Sequence, residues 1–321
     1  MITKKVLVLG ASGQIGRHLI RKLTKNNYVV TAVTRNLHQK GYSLKTQSPI
    51  GFLEIIEENI FNQEKLNNII KNHAICINLI GILFEKKNNT FQNIHVNFPS
   101  ILSKICNDNN IEKLIHLSAL GIEKSIDSNY AISKLEGENK IKNNFQGAVI
   151  LKPSIVYSVD DNFTTNFMTL LNRLPFMPLY YEGKTKFTPI HVTDLAQIIF
   201  DVVQGKVNEK TIECIGPEIF SFKEIILKLL KAIDKKRLLI PLPLALAKMS
   251  AKFFELMPNP LLTTDQLNLL KYDNIASGKY KTNFDLVIGA NRIFDKEIEK
   301  YSFNWREGGQ YSKDKFLNKN Q

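Results

Sequence analysis

Residues 6–16 decide most of what this chain can fold into. Val6-Leu-Val-Leu9 is a short aliphatic run that stops at Gly10, and Gly10-Ala-Ser-Gly13-Gln-Ile-Gly16 leads at once into a helical pattern from Gln14 to about Lys25. Strand, glycine turn and helix in that order open a βαβ unit. Gly10 permits a tight turn, Gly13 lets main-chain N–H groups approach a ligand without a Cβ in the way, and Gly16 allows close helix-on-strand packing. The start of the helix, at Ser12, Gln14 and Ile15, then offers unpaired N–H groups and the positive end of a dipole. That combination suits a diphosphate.

The rhythm of short apolar runs and helical segments continues. Tyr28–Val33, Gly51–Ile56, Ala74–Leu79, Lys113–Leu117 and Ala148–Leu151 read as strands two to six. Helices are expected near Gln63–Lys71, Phe91–Asn107 and Tyr130–Asn143. Continuous apolar strands separated by helices imply a parallel sheet covered on both faces. The fold class is therefore α/β, a doubly wound parallel Rossmann sheet, with any ligand at the C-terminal strand ends. Beyond Pro153 the pattern changes: strands at Thr188–Val192 and Thr211–Ile215, a helix that Thr193 caps, and capping boxes at Ser221–Glu224 and Thr263–Gln266. These pieces suggest a smaller, mostly helical C-terminal lobe over the sheet edge. The expected division is a nucleotide-binding domain over 1–155 and a substrate or partner lobe over 156–321, interleaved near 188–215.

Composition narrows the partners. A 44% hydrophobic and 23% charged chain is ordinary for a water-soluble globule, and no apolar run approaches the ~20 residues of a membrane span. Strand-like sequence from about Lys5 leaves no room for a signal or transit peptide, so a cytoplasmic setting is expected. Cys76, Cys106 and Cys214 are far apart, which argues against a zinc site or a disulfide framework. His95, His116 and His191 lack ligand spacing and read as structural, Asp194 as a helix-start residue, and no metal is expected. The net charge of +13 favours anionic partners, yet the lysines are scattered and mark no nucleic-acid site. Leu242–Met257 carries an apolar stripe with Lys248 and Lys252 between. It reads either as packing against the lobe or as a helix docking on a partner or membrane surface, peripherally on the inner face of the cell membrane.

Two local patterns bear on chemistry. The second strand ends Val33-Thr-Arg35-Asn36 with no carboxylate to bind a ribose 2′-hydroxyl. Arg35 is placed to pair a 2′-phosphate, so NADP(H) is favoured and NAD(H) is the alternative. Tyr130-Ala-Ile-Ser-Lys134 puts a phenol and an ammonium four apart on one helix face. A neighbouring ammonium lowers a phenol's pKa and lets it exchange a proton with a carbonyl or alcohol during hydride transfer.

With the glycine turn, this pair resembles the short-chain dehydrogenase/reductase superfamily in its extended, atypical branch, over nearly the whole chain. Further matches are Asn78-Leu-Ile-Gly81, Ser118, Lys152-Pro-Ser-Ile-Val-Tyr157 and His191-Val-Thr-Asp194. Asn78–Glu85, Leu117–Gly121, Gly183–Phe187 and Leu256–Leu261 look more narrowly like the dehydrogenase-like accessory subunits of respiratory complex I (alpha-subcomplex subunit 9) and their bacterial relatives. The resemblance implies tightly held NADPH without established turnover, and a respiratory-complex or membrane-surface partner. It implies a cofactor set of Gly10, Ser12, Gly13, Gln14, Ile15, Gly16, Arg35, Asn59, Asn78, Gly81, Lys134, Pro153 and Ser154. Its catalytic set is Tyr130, Lys134 and Ser118, but Ser118 lies only twelve positions before Tyr130. Ser118 therefore reads equally as a carbonyl-polarising group or as a cap of strand five. An oxidoreductase acting on an apolar carbonyl, alcohol or quinone-related substrate is the second reading, and a nucleotide-sugar epimerase or dehydratase the third.

Overall fold

The computed structural model describes residues 4–87, 89–255, 260 and 262–313. They form two compact units: Met1–Pro153, Val192–Cys214 and Ala276–Ala290 make the first, and Ser154–His191, Ile215–Ile275 and Asn291–Gln321 the second.

The first unit is built on seven strands. Six arrive in chain order: β1 (Lys5–Leu9), β2 (Val29–Thr34), β3 (Leu53–Glu57), β4 (Ile75–Asn78), β5 (Lys113–Leu117) and β6 (Val149–Pro153). The seventh is Thr211–Cys214, and the sheet order is Thr211–Cys214, β6, β5, β4, β1, β2, β3. Every pairing is parallel. Sequence order reverses beside β1, so the C-terminal ends of β1 and β4 diverge into a ligand crevice. Val6, Leu7, Val8 and Leu9 are all fully buried, which is why their apolar run does not alternate with polar residues.

Helices cover the sheet on both faces. Helix α1 (Gln14–Lys25) buries Gly16, Leu19, Ile20 and Leu23, a stripe at helical spacing, and packs against the helix Val192–Val203. On the other face α3 (Gln63–Ile70), α4 (Phe98–Asp108) and α5 (Asn129–Asn144) contribute Leu66, Ile70, Phe98, Leu102 and Ile141 to one core with Leu7 and Leu9. Helix α2 (Leu37–Lys45), which carries Gly41 at its centre, was not expected. The Asn36 side chain starts that helix by accepting from the Gln39 N–H at 3.0 Å.

Two helix starts differ from expectation. The helix after Ile190–His191 begins at Val192, one residue earlier than a cap at Thr193 implies, so Thr193 lies within its first turn. The expected helix from Phe91 opens instead with a π-helical turn, Gln92–Asn97, before α4. Pro99 offers no N–H to the His95 carbonyl, the bond an α-helix would make there. That carbonyl lodges against α5 where Gly137 leaves a gap; a Cβ on Gly137 would overlap it.

Among its described residues the second unit combines five α-helices, Thr164–Arg173, Phe222–Ala232, Leu244–Glu255, Thr264–Leu269 and Phe294–Ser302, with short two-stranded pairs. Its core gathers Tyr157, Met168, Phe222, Leu229 and Phe294. Both capping boxes are present: the Glu224 N–H donates to Ser221 Oγ and the Gln266 N–H to Thr263 Oγ1. The helix Leu244–Glu255 buries Ala247 and Ala251 and exposes Leu246, Met249 and Phe253. Residues 256–259 and 261 of the Leu256–Leu261 motif lie outside the described residues. Among the described residues no helix is long and apolar enough to cross a membrane.

Replacing a helical glycine by alanine ordinarily stabilises a helix by about 1 kcal/mol. For Gly137→Ala the opposite sign is expected, a loss of about 1–3 kcal/mol from overpacking against the His95 carbonyl. Urea unfolding of the two proteins measures the difference.

Candidate functional site

The glycine turn forms the entrance to a cavity. Gly10 has a φ of +80°, and a Cβ there would stand 3.0 Å from the Leu79 carbonyl carbon on β4's exit. The Gly13 N–H donates to the Gly10 carbonyl at 3.1 Å, closing the turn. A Cβ at Gly16 would press on the Ala11 carbonyl and lie 2.6 Å from the Gly10 oxygen. No side chain caps α1 and no acid stands in its first turn, so its opening charge is left positive towards the crevice. Arg17 Nη1 fixes the loop from behind by donating to the Ser12 carbonyl at 2.7 Å. Gln14 and Ile15 are half-buried in that first turn.

The cavity measures about 680 Å³, within the roughly 300–1,000 Å³ of small-molecule sites. Gly10, Ser12 and Gly13 line it together with Arg35, Asn59 and Gly81, so six of the sequence-derived residues meet in one place. Phe61, Asn93 and Asn97 line it as well and were not foreseen. Arg35 is exposed and makes no hydrogen bond or ion pair among the described residues. The nearby carboxylates are engaged: Glu57 accepts from the Leu37 N–H at 2.7 Å, and Glu58 pairs with Lys65 at 3.1 Å. The Asn59 N–H, followed by Lys65, holds Glu58 below the usual carboxylate range. Asn59 itself accepts from the Phe61 N–H at 3.0 Å.

Tyr130, Lys134 and Glu138 follow one another at i+4 intervals on α5, whose start is capped by Ser128. Lys134 is buried, its ammonium donates to the Leu117 carbonyl at 3.1 Å, and a Cβ on Gly81 would lie 3.2 Å from its Nζ. Burial pushes that ammonium down to about 8, with Glu138 opposing the shift. Glu138 was missed in the sequence, although it extends the Tyr130–Lys134 line by one step. Fully buried, it accepts from Ser118 Oγ at 2.5 Å and pairs with Lys152 at 2.6 Å. Lys152, in β6, also meets Glu123 at 2.7 Å. Burial alone would lower the Lys152 ammonium; the two carboxylates outweigh it and raise its pKa. The Ser118 proton is thus directed at Glu138.

Three further sequence-derived residues have internal partners. Asn78 accepts from the Ile80 N–H at 3.1 Å and donates to His116 Nδ1 at 3.0 Å, so it shapes the crest of β4. The Pro153 carbonyl accepts from the Leu120 N–H at 2.9 Å. Ser154 opens the second unit, where its hydroxyl donates to the Asn274 side chain at 2.6 Å. His95, read as structural, lies 2% exposed in the π turn: its Nε2 accepts from the Ile82 N–H at 3.1 Å and its Nδ1 donates to Ser133 Oγ at 2.9 Å. Burial, reinforced by the Lys134 charge, pushes its pKa down to about 2. The three cysteines are buried thiols, and no cluster of metal ligands occurs among the described residues.

The profile of the NAD dependent epimerase/dehydratase family matches residues 6–215. The chain is 25% identical over 314 residues to the mitochondrial NADH dehydrogenase (ubiquinone) 1 alpha subcomplex subunit 9 of Arabidopsis thaliana, covering 94% of this chain and 78% of that protein. It is 22% identical over 283 residues to the mitochondrial NADH-ubiquinone oxidoreductase 40 kDa subunit of Neurospora crassa, covering 88% and 74%. In fold it is similar to a dTDP-glucose 4,6-dehydratase of Bacillus anthracis solved with NAD, with a TM-score of 0.70, 14% identity and coverage of 96% and 98%.

The buried histidines give a pH dependence. A folded pKa of about 2 for His95, against about 6.5 unfolded, means that the unfolded chain takes up the proton first. Stability from this group is complete above pH 6.5 and is lost as pH falls towards 2. Between pH 7.5 and pH 5 His95 is expected to cost about 2 kcal/mol. His116, depressed by burial and by the Lys134 charge, acts in the same direction. Urea midpoints at the two pH values measure the loss, which His95→Gln should reduce.

Proposed function

The chain belongs to the NAD dependent epimerase/dehydratase family, and we propose that it holds NADP(H), in preference to NAD(H), as an accessory or assembly-type component related to respiratory complex I. The observation that carries this reading is the cavity at the bare start of α1, with exposed Arg35 on its wall. The cradle fits the group. Main chain at Gly10, Ser12, Gly13, Gln14 and Ile15 suits a diphosphate, and Gly16 seats the helix close enough to present it. Arg35 suits a 2′-phosphate, and Asn59 stands on the same wall. Lys134 beside Gly81 suits the nicotinamide ribose, with Pro153 at the end of β6. When bound, the nucleotide supplies a hydride carrier. The printed names of the relatives support the respiratory association, and the partner we infer is a respiratory assembly met peripherally at the inner face of a membrane.

A second reading has its own observation. Tyr130 stands one turn from an ammonium lowered to about 8, which suits an NADP(H)-dependent oxidoreductase acting on an apolar carbonyl, alcohol or quinone-related compound. The commitment of Ser118 to Glu138 favours the accessory reading, because a reductase needs a donor at the substrate carbonyl.

Arg35→Ala is expected to weaken NADPH binding about 10- to 100-fold, the worth of charge-assisted hydrogen bonds, and to change NADH binding less than about twofold. Calorimetric titration of both nucleotides checks it, and equal losses would overturn the 2′-phosphate assignment. In a panel of quinones and apolar carbonyls, wild-type protein and Tyr130→Phe should oxidise NADPH equally slowly and bind it equally well. An oxidation that Tyr130→Phe abolishes would establish the oxidoreductase instead.

A further inference from the structure

We propose that His95 is a positioning residue that ties the cavity wall at Gly81–Ile82 to the Tyr130–Lys134 face of α5, and thereby sets where the nicotinamide half of the nucleotide is held. The proposal rests on the NADP(H) reading above.

The tautomer follows from the partners. A main-chain N–H can only donate, so His95 Nε2 facing the Ile82 N–H at 3.1 Å is the bare acceptor nitrogen. Nδ1 then carries the proton and donates a hydrogen bond to Ser133 Oγ at 2.9 Å. The Ser133 hydroxyl in turn donates a hydrogen bond to the Tyr130 carbonyl at 2.8 Å. One neutral imidazole therefore joins the residue after Gly81 to the residue before Lys134.

Its faces are used as well. Phe91 stacks on the imidazole with centroids 5.3 Å apart and planes 19° apart. The Tyr130 ring stands edge-on to the imidazole at 5.3 Å and 88°, and to Phe91 at 5.9 Å and 76°. Tyr130 is thus oriented by rings on one side and through its main chain on the other. Gly81 and Ile82 both line the cavity, and Gly81 faces the Lys134 ammonium. The π turn makes the arrangement available: it directs Asn93 and Asn97 to the cavity while His95 goes inwards. Burial requires partners for both ring nitrogens, and here those partners are the cavity wall at Ile82 and the α5 face at Ser133.

Three variants separate the parts. His95→Phe keeps a ring and removes both hydrogen bonds; His95→Gln keeps an acceptor and a donor and removes the ring; Ser133→Ala removes only the Nδ1 partner. Each is titrated with NADPH and with 2′-phospho-ADP-ribose, which lacks the nicotinamide, and the emission of bound NADPH is recorded. His95→Phe is expected to weaken NADPH binding about tenfold, as two lost hydrogen bonds would. It should leave the fragment within about twofold and move the nicotinamide emission towards that of free NADPH. Ser133→Ala should show the same selective loss at smaller size, and it decides the matter should His95→Phe fail to fold. His95→Gln should recover most of the NADPH affinity. Equal losses for both ligands, or none for either, would overturn the proposal. Wild-type protein that binds neither ligand would overturn the cofactor reading and this proposal with it.

Discussion

At Gly10 and Gly16 main chain lies against main chain with no side chain between, and the site depends on that approach. The α1 amides reach the crevice only because the turn at Gly10 abuts Leu79 and the first turn of the helix abuts Ala11. The surrounding core supplies the energy: each buried Leu, Ile or Val contributes roughly 1.5–3 kcal/mol. Val6–Leu9 and the inward stripe of α1 are all of that kind. The glycines contribute geometry instead. The same division recurs at Gly137, where a missing Cβ admits the carbonyl that Pro99 leaves without its helical N–H.

Behind the crevice the first unit buries charge as well as hydrocarbon. Glu138 and Lys152 are wholly enclosed, and such a pair is tolerated only while each partner is satisfied. Lys152 has two carboxylates within 2.7 Å, whereas Lys134 has a carbonyl and only the more distant field of Glu138. Their ammonium groups accordingly move in opposite directions, one locked in its charged form and one brought to about 8. Ser118 belongs to the locked set. Its place at the end of β5 is where a carbonyl-polarising hydroxyl would stand, yet its proton points at Glu138.

The sequence announced the parts of this arrangement that depend on local pattern. Strand β5 and helix α1 fall on their expected residues, because an uninterrupted apolar run and a glycine-bounded amphipathic stripe are local signals. The cavity residues Gly10, Ser12, Gly13 and Arg35 were legible for the same reason, since each sits at a strand end or a helix start, whereas Asn59 and Gly81 were implied by the family resemblance. What stayed hidden is tertiary. Helix α2 has weak amphipathicity and depends on the Asn36 cap. The π turn reflects a bond that Pro99 cannot make and a gap that Gly137, 38 residues away, provides. Asn78, Ser118 and His95 are polar residues whose partners lie 38, 20 and 38 positions away, so no local pattern could reveal whether they face a ligand or one another.

The arrangement separates holding a nucleotide from reacting with it. The diphosphate cradle, the Arg35 wall and the Asn59 wall all come from one unit and need no substrate to be complete. A ligand bound there stabilises the folded chain by mass action alone, about 2.7 kcal/mol at a hundredfold excess over its dissociation constant. Chemistry asks for more: a free donor at the carbonyl and a phenol of suitable acidity. The ammonium beside Tyr130 meets part of that demand, and the hydroxyl of Ser118 is spent on a buried carboxylate. A chain that keeps this cavity wall intact while turning the Ser118 hydroxyl inwards suits the accessory role proposed above, in which a held nucleotide is a structural element.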